Sequence, residues 1–149
     1  MVNLHDELIG LLRALEARGV AYALTGGLAL AVHGVVRATE DIDLLVPGEE
    51  LESVVGVARE LGFGIETRLA FASGLEIRRL AKVEGDETLV LDLLRVDATS
   101  EEAFRDRIRV RLEGLEVQVV SRRGLELLKL AAGRDQDLAD LARLRELDG

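Results

Sequence analysis

The sequence predicts an α/β (α+β) domain in which helices flank a mixed β-sheet. Three observations point there. Segments of helical periodicity alternate with short apolar runs of strand length, so the two element types interleave. Gly85-Asp86 and Glu113-Gly114 each separate two strand-like runs, which is the signal of a hairpin. Hydrophobic residues make up 48% of the 149, with a single proline, a balance that favours an ordered core. A chain of this length can bury about 70% of its unfolded surface. It is expected to form one domain over residues 1–149, with no repeat or linker.

The elements follow in order. Leu4, Leu8, Leu11, Leu12 and Leu15 fall at helical spacing over residues 4 to 18, and Gly19 stops the run. Ala21 to Leu24 is a short strand leading into Gly26-Gly27. Leu28 to His33 reads as a short helix closed by Gly34, with His33 a packed or capping residue. Asp41 to Val46 is a strand that Pro47-Gly48 terminates. Leu51, Val54, Val55 and Ala58 share one face of a helix over Glu49 to Leu61. Ile65 to Val96 is strand-like: Leu75, Ile77 and Arg79 alternate poorly, whereas Thr88 to Val96 is clear. Thr99-Ser100-Glu101-Glu102 matches the capping box that opens a short helix. Arg109 to Leu112 and Leu115 to Val120 make the second hairpin. Helices at about Arg122 to Ala132 and Gln136 to Leu147 pack on the domain and close it.

Bulk properties exclude several classes. No cysteine is present, so there is neither disulfide nor thiolate metal site, and a reducing cytoplasm is the expected location. No run of 18 apolar residues occurs, and the opening MVNLHDELIG lacks the features of a signal peptide, so no membrane partner is expected. A net charge of −9 makes a poor generic binder of nucleic acid. Arg105, Arg107, Arg109 and Arg111 alternate, however. If extended, they form a basic stripe that could track RNA, or a solvated face balanced by Asp106 and Glu113.

The chemistry concentrates in TGGLALAVHGVVRATEDIDLLV, residues 25 to 46. Asp41 and Asp43, two apart on a strand, point to the same face roughly 6.5 Å apart, while Ile42, Leu44 and Val46 point to the core. Two such carboxylates repel, and a bound divalent cation reverses that cost. Magnesium suits them, taking one or two carboxylates and completing its shell with water and phosphate. Asp92, a lone acid between Leu91 and Leu93, joins them if its strand is a neighbour. Gly26 and Gly27, between strand and helix, would let a phosphate approach the backbone, with the Thr25 hydroxyl beside them. Singly, these are ordinary strand ends and turns; their ordered combination is specific.

That combination resembles the signature of the polymerase-beta-like nucleotidyltransferase superfamily: Gly26-Gly27, then Asp41-Ile42-Asp43-Leu44, then Leu91-Asp92-Leu93. His33-Gly34 and Arg37-x-Thr39 most resemble the AbiEii-type (abortive-infection toxin) branch and its relatives. The resemblance runs from about residue 20 to the end. It implies the minimal nucleotidyltransferase fold and transfer of a nucleoside monophosphate from a nucleoside triphosphate (NTP) such as ATP to an acceptor hydroxyl. Asp41 and Asp43 would hold two magnesium ions and the triphosphate. Asp92 would hold the catalytic ion and help to deprotonate the acceptor. Thr25, Gly26 and Gly27 would pack on the phosphates, and Arg37 would neutralise phosphate charge or simply pair with Glu40.

The C-terminal helices carry the rest. Leu125, Leu127, Leu128, Leu130, Ala131 and Ala132 surround one helix, and Lys129 shares its polar stripe with Glu126. By itself Lys129 reads as a snorkelling surface lysine. The resemblance makes it a catalytic contact to phosphate and makes Asp137 a nucleotide-binding residue that orients Lys129 or the base; otherwise Asp137, like Asp140, is a favourable charge near a helix N-terminus. Three functions follow: a toxin of a toxin–antitoxin system acting on RNA, an enzyme modifying a partner protein or a small molecule, or a non-catalytic binding module. The acidic positions and glycines argue against the last. So short a chain is expected to complete its cleft as a homodimer or with a paired antitoxin or toxin subunit.

Overall fold

Seven strands form one mixed sheet in the computed structural model of the chain, which describes residues 2–147. Residues 1, 148 and 149, at the ends of the expected domain, lie outside the described residues. The strands are β1 (Ala23–Thr25), β2 (Asp41–Val46), β3 (Ile65–Ala70), β4 (Glu76–Glu84), β5 (Glu87–Arg95), β6 (Ile108–Leu112) and β7 (Leu115–Val119). Their order is β3-β4-β5-β2-β1-β7-β6. β2 lies at the centre, antiparallel to β1 and parallel to β5. Both predicted hairpins form, β4–β5 about Gly85-Asp86 and β6–β7 about Glu113-Gly114. Glu113 (φ 49) and Gly114 (φ 79) are both left-handed, as a two-residue hairpin connection of this twist requires.

Helices α1 (Leu4–Ala17) and α3 (Leu51–Glu60) cover one face of the sheet. Leu8, Leu11, Leu12 and Leu15 from the first, and Val54, Val57 and Ala58 from the second, share one core with Ile42, Leu44, Leu80, Leu91 and Leu93. Each fully buried leucine or valine contributes about 1.5–3 kcal/mol. Lys82, on the same face as Leu80, anchors the layer by donating to Glu7 Oε1 at 2.9 Å and to the Leu61 carbonyl at 3.0 Å. α2 (Gly26–Val32) packs on β1 and β2, α4 (Glu101–Arg105) and α2 touch α5 (Arg122–Ala132), and α6 (Asp135–Glu146) lies against α5. His33 caps α2, its Nε2 lying 2.9 Å from the Val120 carbonyl, as the helix-end reading expected.

Four local expectations are corrected. The short helix begins at Gly26, so both glycines form its first turn instead of preceding it. The capping box at Thr99 does not form; Asp97 Oδ1 accepts the Thr99 and Ser100 N–H groups and sets up α4 from outside. The basic stripe is broken: Arg105 ends α4, and Arg107 folds over the Phe104 ring and donates to Gln118. Arg109 and Arg111 pair with Glu16 and Glu116, not with Glu113 or Asp106. The last helix pair is also turned relative to expectation: Lys129 and Asp137 face inward, while Leu130 is 51% exposed.

Candidate active site

One cross-strand row positions the site. Thr25 pairs with Asp43, Asp43 with Asp92, and Asp92 with Arg79, each in direct register. Neighbouring strands lie about 4.8 Å apart, so the two carboxylates stand side by side. Strand alternation puts Asp41 on the same face, opposite Val90 and away from the buried Ile42 and Leu44. The chain can carry these acids on central strands because that face is not the one α1 and α3 cover.

The glycines are fixed by what they touch. Gly26 has φ +69, and a Cβ built on it would lie 2.2 Å from Asp43 Oδ2. Gly27 would bring a Cβ to 2.4 Å from Thr39 Oγ1. The turn into α2 therefore lies flat against the central carboxylate, which only a residue without a side chain allows. Gly27, Arg37, Ala38, Thr39, Glu40, Asp41 and Asp43 line an open cleft of about 330 Å³. A second hollow, between Leu51 and the β3–β4 hairpin, contains none of the predicted site residues.

Behind the cleft lies a layer of ion pairs. Lys129 Nζ is 2.9 Å from Asp140 Oδ2 and 3.3 Å from Asp137 Oδ1. Arg37 donates to Asp140 through Nε at 3.0 Å and through its NH2 nitrogen at 3.3 Å. Arg134 donates to Asp137 Oδ2 at 2.7 Å. Asp140 is fully buried and Asp137 nearly so. Burial alone pushes both carboxyls up, but Arg134 and Lys129 at Asp137, and Lys129, Gln136 and Arg37 at Asp140, hold them below the ordinary carboxylate value.

The fold thus brings Thr25, Gly26, Gly27, Asp41, Asp43 and Asp92 together. Arg37 lines the cleft with its head on Asp140, not on Glu40, and Lys129 and Asp137 sit bonded to each other in the layer behind. Sequence reasoning missed Arg79, Thr39 and the pairing of Asp140. Counting back from the Gly85-Asp86 turn would have set Arg79 opposite Asp92.

The donor set is all carboxylate oxygen, which suits a hard divalent cation. Among the described residues, however, no three Asp, Glu, His or Cys side chains are arranged to hold an ion as they stand. Asp92 is already engaged. Both its oxygens are taken by Arg79, Nε to Oδ1 at 2.8 Å and the NH2 nitrogen to Oδ2 at 3.0 Å.

Crowding the acids has a measurable consequence. Burial first, then the Asp92 and Asp41 charges, push Asp43 up to about 6, with Lys129 and Arg37 opposing. Between the ordinary aspartate value and about 6 the folded protein therefore holds more protons than the unfolded chain, so stability rises as pH falls. Asp137 and Asp140 act oppositely, and their contribution is lost only as pH falls below about 4. The metal-free protein is expected to melt higher at about pH 5 than at about pH 7, then lower again in stronger acid. Thermal unfolding across pH tests this; a melting temperature flat or falling from pH 7 to 5 would refute the crowding of Asp43.

A model of the family described as aminoglycoside-2''-adenylyltransferase matches residues 7–144. Among solved structures, ANT(2'')-Ia in complex with adenylyl-2''-tobramycin has a TM-score of 0.64 at 16% identity, over 97% of this chain and 88% of that one. A candidate nucleotidyltransferase from Thermotoga maritima gives 0.68 at 16% identity, over 98% and 96%. The lincomycin-bound lincosamide antibiotic adenylyltransferase LnuA gives 0.62 at 16% identity, over 94% and 95%. At such identities the likeness shows the shared fold. No curated protein matches the sequence.

Proposed function

From the premise that the chain belongs to the aminoglycoside-2''-adenylyltransferase family and is a nucleotidyltransferase, we propose that it transfers an adenylyl group from ATP to a hydroxyl of a small cationic molecule. The nucleotidyltransferase superfamily expected from the sequence is the one to which this family belongs; the AbiEii-type branch finds no support beside it. The small-molecule acceptor, second in the sequence reading, therefore comes first. The observation that carries the reading is the row Asp43–Asp92 with Asp41 on the same face, pressed against Gly26 at the mouth of an open cleft. Glu40, which is not among the proposed cation ligands, also lines that cleft, and negative charge there favours a cationic acceptor over a phosphate backbone. The broken arginine stripe removes the feature that favoured RNA.

Asp41, Asp43 and Asp92 would hold the divalent cations, two magnesium ions in this reading, which supply the charge that neutralises the triphosphate and makes the acceptor hydroxyl acidic. Thr25, Gly26 and Gly27 seat the phosphates against the backbone. Asp92 takes the acceptor proton on a carboxylate oxygen. The acceptor oxygen bonds to the α-phosphorus, the bond from that phosphorus to the bridging oxygen breaks, and pyrophosphate leaves. Lys129 and Arg37, both felt at Asp43, contribute fixed positive charge from behind. Positioning and electrostatics do the work.

The test incubates purified protein and magnesium with each labelled nucleoside triphosphate. The acceptors offered are an aminoglycoside panel, a lincosamide, total tRNA and a lysate. Adenylate on an aminoglycoside is the expected result. Label on RNA or protein alone would move the function to the toxin-like or partner-modifying reading. No transfer and no nucleotide-induced thermal shift would sink catalysis altogether.

A further inference from the structure

We propose that Arg79 is a resident counter-charge for the catalytic carboxylates: it holds Asp92 away from the cation position until a divalent ion displaces it. The inference rests on the metal-site reading above and extends it to a residue outside Gly26-Gly27, Asp41-Ile42-Asp43-Leu44 and Leu91-Asp92-Leu93. Four observations carry it. A single guanidinium takes both Asp92 oxygens in a fork-to-fork pair, at 2.8 and 3.0 Å, the strongest neutral-pH arrangement for that group. Register favours the pair, since Arg79 stands directly opposite Asp92 across the β4–β5 ladder. The arginine side chain is 46% exposed and that of Asp92 only 10%, so the arginine is the partner with room to leave. Finally, no three acids converge as a cation cage among the described residues, even though Asp43 and Asp92 are in register.

The electrostatics explain why such a group is useful. Three carboxylates on one sheet face repel, and the positive charge of Arg79 is felt by all three. A monovalent cation built into the strand thus keeps the empty cluster foldable. For Asp92 to join Asp43 as a ligand, Arg79 would have to release both Asp92 oxygens, and a divalent cation would supply the charge that replaces the arginine's. Binding then carries a penalty: if about nine-tenths of molecules are latched, the apparent dissociation constant is raised about tenfold.

The experiment measures manganese binding to the full chain without nucleotide, by calorimetry and by electron paramagnetic resonance of the free ion. Arg79→Gln is expected to bind about tenfold tighter than wild type and to show a larger manganese-induced rise in melting temperature. Its metal-free form should melt lower than wild type. Arg79→Lys, which keeps the charge but loses the fork, should fall between; if the glutamine variant does not fold, the lysine variant carries the test, with a tightening of a few fold. A role confined to structural support would lower the melting temperature and leave manganese affinity unmoved. Equal or weaker binding by the variants, while wild type binds and Asp43→Asn does not, overturns the latch and leaves the metal site standing. Absence of manganese binding in wild type, with or without ATP, overturns both.

Discussion

Asp43→Asn is expected to reduce adenylyl transfer at least about a thousandfold and at the same time to raise the melting temperature of the metal-free protein. The loss follows from position. Asp43 is the middle of the row Thr25–Asp43–Asp92, and its Oδ2 faces the Gly26 backbone. An amide keeps the shape and removes the charge. Losing one preorganised electrostatic contact of this kind costs about 3–4 kcal/mol in the transition state, and loss of a cation ligand compounds it. The gain in stability follows from the same crowding. At neutral pH the folded state pays for an ionised Asp43 beside Asp41 and Asp92, and asparagine removes that repulsion. The expected rise is a few degrees, since 1 kcal/mol moves the midpoint about 2–4 °C in a chain of this size. Steady-state rates and thermal unfolding of the one variant read both. A fully active variant would mean the site is misplaced, and a variant that melts lower would mean Asp43 is not crowded.

Lys129→Met is expected to be the most destabilising of the conservative changes at the cleft, by about 3–5 kcal/mol, or about 10 °C in melting temperature. Its ammonium lies between Asp137 and Asp140, and removing it leaves two deeply buried carboxylates partnered only from one side. Arg134 and Arg37 remain, so the fold should survive. Lys129→Met combined with Asp140→Asn should recover part of the loss, because the uncompensated charge is then gone. Chemical denaturation of the two variants measures the difference. A single-variant cost under about 1 kcal/mol would show that the arginines suffice to hold both carboxylates.

What could be read beforehand depended on how local the physics was. Asp41, Asp43 and Asp92 were legible because a charge inside an apolar strand is an anomaly visible in a few residues. Gly26 and Gly27 were legible as a feature, though their reason, the contact with Asp43 and Thr39, belongs to the folded sheet. Arg79 was not legible: its segment alternates weakly, and its meaning lies in the residue across the ladder. Arg37 was read as a phosphate contact or else a partner of its neighbour Glu40; its head lies instead on Asp140, more than a hundred residues away, because α6 brings a fully buried carboxylate within reach. The arginine stripe failed for the opposite reason. Its alternation was real, but α4 ends inside it, and a helix and a strand do not share a periodicity. The branch assignment went astray at the residues around His33 and Arg37, since the glycines and acids that dominate the resemblance are common to the whole superfamily.

The position of β5 bears on the order in which the chain can assemble. Asp92 finds Arg79 across a hairpin, only 13 residues away. It meets Asp43 only when β2 and β5 pair in parallel, closing a loop of about fifty residues. Loop-closure entropy favours the first contact by about 1 kcal/mol, and the hairpin can form on a microsecond scale before the parallel pairing is reached. A nascent chain therefore has the means to neutralise its third acid before that acid must be brought beside the other two. The later joining of the two non-adjacent strands then meets a strand whose charge is already answered.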